Sequence, residues 1–283
     1  MKLYYYKDPD NKINFGDDLN PWLWDKLYSD IFDNDADNIF VGIGTLLNNN
    51  IPVEPRKIVF SSGVGYGNNK PPVIDDLWKI YCVRGPLSAK ALGLEINKGI
   101  IDGAYLLKNI VKSFPKKRYK FSYIPHFHSA NSHYEALCER LGIKYINPSQ
   151  SIENTLDDIL SSEIIFCEAM HGAIVADCFN IPWVPIRTNN KILGFKWEDW
   201  CQSIDIKYSP VDIMPLWEGG KGVFHKTIHN FKVMNNIKVF SMLMKKGHKA
   251  TFNGDEVLID KKIKLLSESF EKLIDNEITV NLK

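Results

Sequence analysis

Several things are missing from this chain, and each absence narrows its class. No apolar run is long enough to span a bilayer, and the opening MKLYYYKDPDN passes from a short strand-like stretch into charge with no signal-type apolar region. A cytoplasmic location is the expectation. Cysteine is sparse: Cys82, Cys138, Cys167, Cys178 and Cys201 are odd in number and form no C-x-x-C pair. That pattern favours reduced thiols over disulfides or zinc. A charge surplus is also missing. With a net charge of +1, no overall field recruits nucleic acid. No internal repeat is evident. The glycine-bearing stretches at 42–45 and 63–67 do not fit G-x-G-x-x-G followed by a suitably spaced acidic residue, so no dinucleotide cofactor is expected. Either stretch reads as a backbone cradle for an anion or as a plain tight turn. Arginine is the scarcest charged residue: Arg56, Arg84, Arg118, Arg140 and Arg187 are the whole complement, so their placement is informative.

What is present reads as a globular α/β chain. A length of 283 residues with 45% apolar content can enclose one large or two medium cores. Short apolar runs at 3–6, 39–41, 57–60, 80–83 and 99–102 predict strands. Helices are expected after Asn20, as a cap with Pro21 in the first position, and over 86–92, ended by Gly93. A linker-like stretch at 112–118 follows. From Tyr119 the pattern restarts, with strands at 121–124, 144–146, 164–167 and 182–186 and helices at 134–141, 152–161 and 173–179. Such alternation points to parallel sheets. The expected architecture is two Rossmann-like domains, 1–115 and 119–215, with a cleft between them and a C-terminal helical segment, 216–283, packing on both.

Within that last segment, Ile228, Phe231, Met234, Ile237, Phe240 and Met244 recur every three or four residues. Lys226, Lys232, Lys238, Lys245, Lys246 and Lys249 accompany them, and 225–249 holds no acidic residue. A basic amphipathic helix suits an anionic membrane surface; it also suits a helix packed by its apolar stripe with solvated lysines. A closing helix at 260–274 is expected to pack back onto one domain.

The densest stretch is SSEIIFCEAMHGAIVADCFNIPWVPIR at 161–187. Glu168 and His171 fall at a strand-to-helix turn, the edge of an open α/β sheet where ligands collect. Gly172 permits close approach, and the first helical N–H groups favour an anion. His126 and His128 follow another strand and share a face if extended. They suit a phosphate or acceptor hydroxyls, and no third ligand stands nearby in sequence for a metal. Arg84 and Arg187 end apolar runs, where they would project at the cleft; a salt bridge across a domain interface is the competing reading. Asp17 and Asp18 could orient sugar hydroxyls or supply helix N-terminal charge. Trp197 and Trp200 read as sugar-stacking rings or as core.

The blocks EAMHGAIVAD at 168–177 and IPWVPIR at 181–187 resemble the polysaccharide pyruvyl transferase family. The likeness takes in NFGDD at 14–18, VRGPLSA at 83–89, YIPH at 123–126 and FKWEDW at 195–200, in order from about residue 3 to residue 205. It implies a GT-B-like fold with the active site in the interdomain cleft. It also implies transfer of the enolpyruvyl unit of phosphoenolpyruvate to a sugar, usually as a cyclic ketal across two hydroxyls, with phosphate released. The donor is a substrate, and no cofactor or metal is implied. On this resemblance His171, Glu168 and His126 are the catalytic candidates. Arg84, Arg187, His128, Asn14, Asp17, Asp18, Gly172 and Trp197 are the substrate-binding ones. Many members carry arginine two residues before the motif histidine; Ala169 stands there, so Arg84 or Arg187 is expected to take the donor's anionic groups. The implied acceptor is a saccharide, as a lipid-linked polysaccharide repeat unit at the inner face of the cytoplasmic membrane. A nucleotide-sugar glycosyltransferase on the same fold and a non-catalytic carbohydrate-binding protein of an export complex are the other readings.

Overall fold

A computed structural model describes residues 1–33, 35–65, 70–188, 193–216 and 223–278. The first half builds a sheet from β1 (Lys2–Tyr4), β2 (Asn38–Val41), β3 (Arg56–Phe60) and β4 (Trp78–Cys82), paired in chain order and all parallel. α1 (Phe15–Leu27) connects the first two strands, and α2 (Pro86–Ala91) and α3 (Leu107–Ile110) follow the last. Phe40, Val41, Ile58, Val59 and Phe60 are all buried, so alternate side chains are covered on both faces, as parallel sheets require.

The second half runs β5 (Tyr119–Ile124), α4 (Ser132–Leu141), β6 (Lys144–Tyr145), α5 (Ile152–Leu160), β7 (Ser162–Cys167), α6 (Met170–Cys178), β8 (Trp183–Arg187), α7 (Gly194–Ser203) and β9 (Val211–Asp212). Its strands pair in parallel in the order β6-β5-β7-β8-β9. The chain therefore leaves β5 to one side and returns to its other side at β7. That reversal is a topological switch point, where the loops beyond the strand ends diverge and leave a crevice. Two parallel sheets with flanking helices make a Rossmann-like α/β architecture. α8 (Val223–Lys246) and α9 (Glu256–Glu277) complete the described chain. No described helix is long and apolar enough to cross a membrane.

Two sequence expectations are corrected. The expected strand at 99–102 is a single bridge, Val83 to Gly99, because the chain turns at Asp102, whose carboxylate accepts from the Ala104 N–H at 3.0 Å and opens a 3₁₀ turn. α1 begins at Phe15, not after Asn20, so Pro21 lies inside it. Proline there removes the N–H that would reach the Asp17 carbonyl. The buried Asn20 amide donates to that carbonyl at 3.1 Å instead, and also to the Ile43 carbonyl at 2.8 Å. Of the two glycine-bearing stretches, Tyr66 and Gly67 lie outside the described residues.

The closing helix does pack back, and it does so on the first sheet. Phe270 of α9 lies 5.7 Å from the Trp24 ring and 5.2 Å from Phe60, centroid to centroid. Arg56, at the start of β3, makes a bidentate pair with Glu277, which Tyr81 also contacts at 2.7 Å. Leu266 and Leu273 are fully buried in the same core. Leu266→Ala is therefore expected to lower unfolding free energy by about 2–5 kcal/mol, the scale for a buried leucine that leaves a cavity. Urea unfolding checks it, and a loss below about 1 kcal/mol would mean that α9 is only loosely attached.

Candidate active site

The carboxyl ends of β5 and β7 open on a cavity of about 760 Å³. Tyr4, Asn14, Phe15, Gly16, Asp17 and Thr45 line it from the first half of the chain, and His126, His128, Ser129, Ala169 and His171 from the second. Lys196, near the start of α7, also lines it.

His171 occupies the second position of α6, so the strand-to-helix turn aims it at the pocket. Its ring lies against Gly16 so closely that a Cβ there would sit 2.4 Å from Nδ1. Glycine at that position is thus what lets α1 meet the histidine. On the ring's other side, Nε2 stands 3.9 Å from Oδ2 of Asp102, too far for a hydrogen bond. Neither atom has another hydrogen-bond partner among the described residues. Burial, with Lys196 and Arg84 nearby, pushes the His171 imidazolium down to a pKa of about 3, and burial pushes Asp102 up to about 6. Glu168, the catalytic candidate three residues before His171, is not turned toward it. That carboxylate instead faces the 126–129 turn, accepting from the His126 backbone N–H at 2.9 Å, Ser129 at 3.0 Å, Tyr123 at 3.2 Å and Thr188. Glu168 does not line the pocket; it is a fully buried clamp that shapes the pocket wall. Burial raises its pKa and these four donors pull against that.

His126 and His128 both line the pocket, with ring centroids 5.5 Å apart. They do not lie on an extended segment as expected: the His126 side chain accepts from the His128 N–H at 3.3 Å and caps a 3₁₀ turn. Burial first, then Lys196 and His128, lowers the His126 pKa to about 3. Asp17 receives the Asn14 amide at 2.5 Å. Burial lifts its pKa to about 7, with Lys196 pulling it down and Asp18 pushing it up. Asp18 accepts the Asn14 N–H at 2.7 Å and is outside the pocket lining.

The arginines lie elsewhere than expected. Arg84 is fully buried: Nε donates to Asp199 at 3.0 Å and Nη1 to Thr45 at 3.0 Å. Asp199 also holds the Ser88 N–H and hydroxyl at 2.8 and 2.6 Å. Arg187 spends its fork on Asp212, its register partner on β9, at 2.6 and 2.9 Å. Neither lines the pocket. Trp197 is also fully buried, packed with Trp183, Trp200 and Tyr208, so its ring is core and presents no face to a sugar. Gly172 meets Ile124, where a Cβ would come within 2.6 Å, so the close approach it permits is helix on strand.

Two groups of the site were not singled out from sequence: Lys196, which lines the pocket, and Asp102, which stands behind His171 outside the lining. Lys196 sits in the tryptophan-rich block FKWEDW, where a lysine beside core rings carries no distinguishing pattern. Asp102 reaches His171 only because the 99–106 segment passes under α6. An aspartate ending a strand-like run was the one signal for it.

Comparison with known proteins adds an independent line. The model of the polysaccharide pyruvyl transferase family matches residues 2–190, which include Asp17, Asp102, His126 and His171. The succinoglycan biosynthesis protein ExoV of Rhizobium meliloti (strain 1021) is 39% identical over 213 residues, covering 74% of this chain and 67% of that protein. No solved structure matches.

Two outcomes follow from these contacts. Asp199→Ala strands the Arg84 guanidinium in the core, and stability is expected to fall by about 3–5 kcal/mol in urea unfolding. Asp17 titrates near 3.8 when unfolded and about 7 when folded, so between those values the unfolded state ionises first and stability falls as pH rises. His171 and His126, lowered from 6.5 to about 3, act in the opposite direction: stability falls as pH drops across that window. Asp17→Asn removes only the carboxylate contribution. Relative to wild type it is expected to gain stability on going from about pH 4 to about pH 8, and an unchanged difference would place Asp17 in water.

Proposed function

The chain belongs to the polysaccharide pyruvyl transferase family, and we propose that it moves the enolpyruvyl unit of phosphoenolpyruvate to a saccharide, releasing phosphate and leaving a pyruvate ketal. The observation that supports this reading is the meeting, in one pocket at the switch point, of a raised carboxyl, two neutral imidazoles and a lysine. The two sheets are then two Rossmann-like domains in a GT-B-like arrangement, 1–115 and 119–215, with 216–283 packing on them and the pocket as their cleft. The acceptor is a lipid-linked repeat unit at the inner face of the cytoplasmic membrane.

The chemistry divides among the pocket groups by protonation state. Asp17, held protonated toward neutral pH, gives its proton to the donor's methylene carbon, and the enol π pair forms that new C–H bond. The neighbouring C2 becomes electron-poor, and a saccharide hydroxyl attacks it. Neutral His171 takes the hydroxyl proton, and Asp102 behind it stabilises the imidazolium that forms. The C2–O bond to phosphorus then breaks, and its electron pair leaves with phosphate. His171 gives its proton to the departing phosphate, and a second hydroxyl closes the ketal on C2, returning its own proton to Asp17. Donor and acceptor alone balance the reaction. Lys196, with His126 and His128, faces the donor's phosphate and carboxylate, a role for a charged point donor. Tyr4, Tyr6 and Phe127 line the same pocket and offer aromatic faces to the sugar.

Measured phosphate release from phosphoenolpyruvate in the presence of acceptor, with a product heavier by one pyruvate ketal, tests the reading. Transfer from a nucleotide sugar instead, or saccharide binding with no turnover, would replace it. His171→Gln is expected to keep its melting temperature and most donor affinity and lose about 10²- to 10⁴-fold in turnover. Lys196→Met is expected to weaken donor binding about tenfold or more in calorimetry, the loss of one charge-assisted hydrogen bond. A fully active but destabilised His171→Gln would leave the histidine a core residue.

A further inference from the structure

α8 is apolar on two sides, and only one of them is used. Phe240 and Leu243 are buried, with Phe240 packed 5.4 Å from both Tyr123 and Phe166 of the second sheet. Asn236 on the same side is fully buried and grips Met214 through both its N–H and its carbonyl, each at 2.8 Å. The helix is thereby fixed, and its opposite side is presented outward. There Ile228, Phe231, Met234 and Met242 are 39%, 64%, 49% and 44% exposed.

The helical period places these four on one face, and it places exposed Lys238 and Lys245 in line with Phe231, seven and fourteen residues on. Exposed Lys226, Lys246 and Lys249 add to the same element and the turn after it. No aspartate or glutamate occurs from residue 223 to residue 254. The sequence-stripe expectation assigned Phe231 and Phe240 to one side. The structure separates them: Phe240 serves the core, and Phe231 stands in water.

We propose that this outward face of α8 docks in the plane of an anionic phospholipid bilayer. Apolar side chains flanked by lysines, on a helix lying flat, enter the acyl boundary while the cations meet lipid phosphates. A second copy of the chain fits poorly, because a two-fold contact through this face would set each row of lysines against its own copy. The face is separate from the pocket, so the proposal does not depend on the reaction assigned there.

The test uses the full chain and vesicles of phosphatidylcholine with or without phosphatidylglycerol. The protein is expected to sediment with the anionic vesicles, and to be released as salt is raised. Phe231→Ser with Met234→Ser should weaken binding about tenfold or more by removing the inserted groups. Lys238→Gln with Lys245→Gln should weaken it similarly and flatten the salt dependence. All four side chains are exposed, so melting temperatures should hold. Three results would overturn the proposal: a wild-type chain that ignores anionic vesicles, binding that both double variants leave intact, or a solution dimer that Phe231→Ser with Met234→Ser dissociates.

Discussion

The buried ion pair of Arg84 and Asp199 is the contact on which the site depends. Arg84 follows β4 in the first half of the chain, whereas Asp199 lies on α7 in the second, three residues from Lys196. Asp199 spends its remaining lone pairs on the N–H and hydroxyl of Ser88, at the start of α2, so three polar contacts to this one carboxylate anchor α7 to the first half. With α7 fixed, Lys196 is delivered to a pocket otherwise built from the loops of both sheets. An ion pair this deep in the core contributes less as net stability than as a geometric condition, because separating its members leaves an uncompensated charge in a low dielectric.

Much of the fold could be read from apolar runs, since strands such as 57–60 and 164–167 are buried on both faces and carry no alternation to misread. What could not be read depended on distant partners. Pro21 looked like a first helical residue because nothing nearby in sequence shows that Asn20 supplies the donor proline lacks. The site divided in the same way. His171, His126 and Asp17 were legible because the ends of parallel strands collect ligands. Glu168 is three residues from His171, yet its carboxylate points to the 126–129 turn, because the two lie on either side of a strand-to-helix junction and not on one helical face. Arg84 and Arg187 have the chemistry for an anion, but their partners, Asp199 and Asp212, lie 115 and 25 positions away.

A continuous set of hydrogen bonds joins α8 to the pocket wall. Asn236 holds Met214, whose carbonyl accepts from Tyr134 on α4, and Asn131, the cap of that helix, donates to Leu216 at 2.6 Å and to Ser129 at 3.1 Å. Ser129 in turn donates to Glu168. The outward face of α8 and the loops around His126 therefore belong to one mechanical body.

The place of α9 on the first sheet has a consequence for biosynthesis. Trp24 and Phe60 receive part of their cover from Phe270, which the ribosome adds long after the strands themselves. At about 5–20 residues per second, the roughly 200 intervening residues take on the order of 10–40 seconds to appear. Through that interval the nascent first sheet lacks the cover that Phe270 gives to Trp24 and Phe60, so its core is completed only after α9 has been made.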